Sequence, residues 1–120
     1  MRIAKIKNRY IFNSENPHGN HSYAVYYDKN TRRYRVVPLT HLYVKDNTRF
    51  VQLKREQIMK VKFPSFETPS GVWNHYYDTS LSGKKIDLKN PDVIEVSSRH
   101  LPKEMSDKIK QFAKRRRISF

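Results

Sequence analysis

The stretch that most constrains this chain is His21 to His41, where two apolar runs flank a polar turn. Tyr23-Ala24-Val25-Tyr26-Tyr27 leads into Asp28-Lys29-Asn30-Thr31-Arg32-Arg33, and Tyr34-Arg35-Val36-Val37-Pro38-Leu39 follows. β-Branched and aromatic residues on either side of an Asp/Asn-containing loop predict an antiparallel β-hairpin. Pairing Tyr27 with Tyr34 sets Tyr23 opposite Pro38 and His21 opposite Thr40, with His41 next in line. Opposed Cβ atoms stand about 5 Å apart. This register therefore gathers an imidazole, a hydroxyl and a second imidazole at the open end of one hairpin. A slip of one residue would carry them all to the other face.

The remaining segments read as short strands and one helix. Residues 2–12 mix basic and apolar residues, with Ala4, Ile6, Tyr10 and Phe12 on one parity and Ile3 and Ile11 on the other. Asn13 to Asn20 is a loop by composition. Residues 43–49 begin as strand and then turn, and 50–53, 86–88 and 93–96 read as further strands. Met59, Val61 and Phe63 alternate with Lys60 and Lys62, the pattern of a half-buried strand with a basic outer face. Val72 to Tyr77 is aromatic and extended. Helical spacing appears only after Pro102, where Met105, Ile109 and Phe112 form one stripe; the helix is expected over about 102–115. The expectation is a single domain over 1–120, mainly β, built on the 21–41 hairpin as a small barrel-like antiparallel sheet with a C-terminal helix. An open α+β sheet is the alternative.

Charge narrows the partners. Lys and Arg number 25 against 11 Asp and Glu, a formal net charge of +14. A small domain this basic usually meets a polyanion. The chain has no Cys, which removes disulfides, thiolate metal sites and a Cys nucleophile and fits a cytoplasmic location. No apolar run approaches the ~18 residues of a membrane span, so no membrane partner is expected.

Several chemistries are disfavoured. Three glycines leave no phosphate-binding loop. The acidic residues are scattered rather than grouped as a two-metal nuclease requires. The five His residues lack the short spacings of a zinc motif. Metal-independent cleavage of RNA needs less: a base for the ribose 2′-OH, an acid for the leaving oxygen, and cations for the phosphoryl charge. His serves as acid or base near neutrality, and Arg holds phosphoryl oxygens.

Three motifs resemble MazF/PemK-like toxins, which are metal-independent endoribonucleases. They are Gly19-Asn20-His21-Ser22-Tyr23-Ala24-Val25, Val36-Val37-Pro38-Leu39-Thr40-His41 and Val93 to Pro102. The Pro-Leu-Thr element is also similar to that of ToxN-type toxins of RNA–protein systems. The resemblance implies a small SH3-like β-barrel with a C-terminal helix, often dimeric, that cleaves single-stranded RNA without a cofactor as the toxin of a toxin–antitoxin pair. It also implies an acidic protein or RNA antitoxin. Carried over residue by residue, the catalytic pair is His21 and Thr40. His21 stands where the family has Arg or Lys, and His41 where it has Ser.

The candidate catalytic residues are therefore His21, Thr40, His41 and Arg99. Candidate RNA contacts are Arg32 and Arg33 in the turn, Lys60 and Lys62, the Trp73–His75 aromatic pair as a stacking platform, and Arg115 and Arg116 in the basic tail. The competing expectation is a non-catalytic basic nucleic-acid-binding module of a mobile element, for which His21 and Thr40 are dispensable. A structural part of a ribonucleoprotein assembly is a third.

Overall fold

The computed structural model describes residues 1–7, 19–41, 58–64, 66, 70–78, 91, 94–114 and 116–119. Side chains are described for these except His41, Asp78 and residues 116–119. The strands are β1 (Arg2–Lys7), β2 (Asn20–Asp28), β3 (Arg33–His41), β4 (Ile58–Val61), β5 (Ser70–Trp73), β6 (His75–Asp78), β7 (Ile94–His100) and β8 (Arg116–Ser119), with one helix, α1 (Lys103–Ala113). The chain is mainly β with a C-terminal helix, as expected. The strands predicted at 43–49, 50–53 and 86–88 lie outside the described residues.

All eight strands join one sheet, in the order β4-β5-β3-β2-β1-β7, with β6 beside β3 and β8 beside β6. Every pairing is antiparallel except β6 with β8. The expected barrel is not closed: among the described residues β4 and β7 are opposite edges that do not pair.

The hairpin register is the one the sequence predicts, running from Tyr23↔Pro38 to Asp28↔Arg33. Four residues bridge the last pair, and Arg32 adopts a left-handed φ of 54° to close the turn. The Asn30 backbone N–H donates to Asp28 Oδ1 at 2.9 Å, an Asx-turn that starts the reversal.

Alternation on these strands produces two apolar layers. Ile3, Ala24, Tyr26, Val37, Leu39, Val72 and Tyr76 face one way and meet Phe63, Ile109 and Ala113. Ala4, Ile6, Tyr23, Val25, Val36, Tyr77 and Ile94 face the other. The predicted helical stripe does part of this work: Ile109 is fully buried, and Met105 packs at the margin. Each such large side chain contributes about 1.5–3 kcal/mol. Lys110 extends over the Tyr26 ring at 5.3 Å, fixing α1 against β2. The predicted β4 face also holds, with Phe63 buried and Lys60 and Lys62 exposed.

Two boundaries differ from expectation. Helix α1 ends at Ala113 rather than 115, and the basic tail continues as strand β8. Isoleucine and serine in Arg116–Ser119 follow an Arg pair that a helix would leave solvated, and a free edge of β6 accepts them. Strand β7 runs on through Arg99 to His100, where Pro102 ends it.

One charged pair is built into the hairpin. Arg35 Nη2 lies 2.6 Å from Asp28 Oδ2, both nearly buried, and the guanidinium sits 4.1 Å from the Tyr76 ring centroid. Burial raises the Asp28 pKa, but the Asn30 N–H and Arg35 more than offset it, leaving the carboxyl below its ordinary value. Removing one member of a buried pair strands the other, at about 3–5 kcal/mol. Arg35→Ala should lower the urea unfolding free energy by that amount, and Arg35→Met, which keeps the aliphatic packing but also strands Asp28, should lose nearly as much. A clearly smaller loss in Arg35→Met would show that packing, not the ion pair, dominates. The Asp28 contribution is fully present above the ordinary carboxyl value and drains away as pH falls through the lower folded one. Acid titration of unfolding should show that loss in the wild type and not in Asp28→Asn.

Candidate functional site

The site begins with a proline in an interior strand. β3 has β2 on one side and β5–β6 on the other. Pro38 has no N–H, so such a residue is tolerated in a sheet only where a ladder bond is missing. On the β2 side the register runs unbroken to Tyr23↔Pro38. On the other side it breaks: Val36 pairs with Tyr77, but Leu39 pairs with Val72. Two residues of β3, Val37 and Pro38, thus face four of the partner, Trp73 to Tyr76. The partner strand absorbs the excess as a bulge centred on the bend at Asn74.

The bulge shapes a cleft of about 360 Å³ lined by His21, Tyr23, Pro38, Leu39, Thr40, Trp73, His75 and Tyr77. Trp73, His75 and Tyr77 alternate along one strand face, and both successive ring pairs have centroids 5.6 Å apart. His21 and Thr40 flank the Tyr23–Pro38 pair at the mouth. Among the described residues, no Asp or Glu lines the cleft. Burial pushes the Tyr23 phenol far above its usual range, with Tyr77 adding to the effect, and burial also raises Tyr77. Both hydroxyls stay protonated at neutral pH. The cleft therefore combines two imidazoles, one aliphatic hydroxyl, two phenols and an indole wall.

The structure brings together His21, Thr40, Trp73 and His75 from the sequence-derived set. His41 has its backbone opposite Ser70, and its side chain lies outside the described residues. Arg99 is not at this site. It sits on exposed β7 beside His100, which pairs with Arg2, whereas His21 pairs with Ile6 four residues further along β1. That separation is about 13 Å along the strand. The Arg99 backbone N–H donates to Ser97 Oγ at 3.2 Å. Arg32 and Arg33 lie at the far, turn end of the hairpin. Lys60 and Lys62 lie on and just after edge strand β4, and Lys62 Nζ donates to the Phe66 carbonyl. Arg115 falls outside the described residues. The Arg116 backbone is paired with His75 in the parallel β6–β8 ladder, which places the tail beside the cleft strand and not at a helix end.

Tyr23 and Tyr77 line the cleft but are not among the sequence-derived candidates. The signal for Tyr77 was present in the Trp73-x-His75-x-Tyr77 alternation, which assigns all three rings to one face. The described residues contain no group of three or more His, Asp and Glu side chains placed to hold a metal ion. No protein-family model, no curated protein and no solved structure matches the chain.

The bulge itself is open to test. Pro38→Val returns the missing donor and a β-favouring side chain. Trp73 is the chain's single tryptophan, so its emission reports on the bulge. A shifted emission maximum with the fold retained is the expected result; an unchanged spectrum would show that Pro38 does not hold the ladder open.

Proposed function

We propose that the chain binds single-stranded RNA in this cleft and cleaves it through the 2′-OH, without a metal ion. The observation that carries the reading is the convergence of His21, His75 and Thr40 on one aromatic-walled cleft. In the reaction one imidazole takes the 2′-OH proton as that oxygen attacks phosphorus. The bond from phosphorus to the 5′ oxygen breaks, and the other imidazole, as imidazolium, gives that oxygen its proton. The products are a 2′,3′-cyclic phosphate end and a 5′-hydroxyl end. In this reading Thr40, at the cleft mouth, donates to the phosphoryl oxygens, whose charge grows in the transition state. Trp73 offers a face on which a base can stack.

The +14 charge supplies long-range attraction for the polyanion. The described residues include no helix long and apolar enough to cross a membrane. The role as a toxin, with an acidic protein or RNA antitoxin and a homodimeric form, rests on the motif resemblance and follows from the nuclease reading; the cytoplasmic setting rests on the cysteine-free composition. A binding module without chemistry is the second reading, favoured by the aromatic wall, which serves binding with no help from the imidazoles.

The test is incubation of purified protein with a long single-stranded RNA in excess EDTA. Wild type should cut at discrete positions and leave cyclic phosphate ends. His21→Ala and His75→Ala should each slow cutting by about 10²–10⁴-fold, and Thr40→Ala by about tenfold or more. Cutting that survives all three substitutions would move the site elsewhere. Salt-sensitive binding with no cutting would leave the binding module.

A further inference from the structure

Resting on the RNA reading, we infer that Tyr27 and Tyr34 form a second base-stacking platform on the cleft-bearing face of the hairpin. They hold nucleotides beyond those in the cleft. Among the described residues these two are the large hydrophobic side chains left exposed, at 47% and 42%. They are direct cross-strand partners, with ring centroids 5.2 Å apart and planes tilted 61°. Neither ring belongs to either apolar layer of the sheet.

Their position is fixed by parity. Tyr27 is four residues from Tyr23, and Tyr34 four from Pro38, along an unbroken register. Side chains repeat every two residues, so the exposed pair and the cleft share one face of the hairpin. The separation is about 13 Å at about 3.3 Å per residue. That equals about four nucleotides at the stacked spacing of about 3.4 Å, or fewer in a stretched strand.

The local charge suits a phosphate backbone. Lys29, Arg32 and Arg33 occupy the turn next to the two rings, with Lys29 and Arg32 exposed. The one acid of the turn, Asp28, is already neutralised by Arg35 at 2.6 Å. A base stacked on a protein ring is worth a substantial factor in affinity whatever its sequence, and nearby cations hold the backbone. A solely structural role is the competing account, since a cross-strand aromatic pair also steadies a hairpin.

The experiment measures affinity for 2′-O-methylated oligouridylates, which cannot be cut through the 2′ oxygen, from about two to about ten nucleotides long. Wild type is compared with Tyr27→Val/Tyr34→Val, which keeps strand-favouring side chains without rings, and with Tyr27→Phe/Tyr34→Phe. Wild-type affinity should rise about tenfold or more once the oligomer outgrows the cleft by about four nucleotides. The Val pair should lose that rise while binding the shortest oligomers as the wild type does, and the Phe pair should keep it. An undiminished rise in the Val pair, with thermal unfolding unchanged, overturns the platform and leaves the RNA reading standing. Absence of binding to every oligomer by the wild type overturns the RNA reading and the platform with it.

Discussion

A missing hydrogen-bond donor organises this molecule. Interior strands of a sheet must place every backbone N–H and C=O on a neighbour, and Pro38 cannot comply. β3 keeps its register with β2 and lets the ladder to β5–β6 break instead. The cost of that break is confined to a few residues. The yield is a concave, aromatic surface in the middle of what would otherwise be a flat, paired strand. Trp73 and His75 line the cleft because the partner strand has two more residues than it can pair.

The opposite end of the same hairpin obeys a different constraint. There Arg35 is buried between Asp28 and the Tyr76 ring. A guanidinium can be taken out of water only with such partners. The arrangement fixes the turn end of the hairpin in one register, and register at that end fixes it at the other, because the side-chain period is two. His21 and Thr40 share a mouth partly because Asp28 and Arg35 share an ion pair.

Much of this was legible in the sequence, and the reasons are specific. The hairpin was readable because Tyr, Val and Ala runs flank a turn rich in Asp and Asn, and the symmetry of those runs gave the register. The helix was readable from Met105, Ile109 and Phe112. The convergence of His21 and Thr40 followed from strand pairing alone. His75 and Tyr77 were harder, since their approach depends on how β6 lies against β3, a non-local pairing that no local pattern encodes. Arg99 looked close only because a strand was expected to end earlier than it does. The basic tail was misread because Lys and Arg suit both a helix end and a strand edge, and the choice between them was made by the free edge of β6.

The parallel β6–β8 pairing bears on how the molecule forms. The hairpin closes a short loop, with partners as near in sequence as Asp28 and Arg33. His75 meets Arg116 across 41 residues. Loop-closure entropy makes the hairpin the early event and the β6–β8 contact a late one. During synthesis, at about 5–20 residues per second, the strand that carries Trp73, His75 and Tyr77 emerges seconds before the segment that flanks it. The hairpin half of the cleft is thus a template already standing when the aromatic half is laid against it, and β8 acts as a latch that seals the outer edge of β6 only after its own segment has left the ribosome.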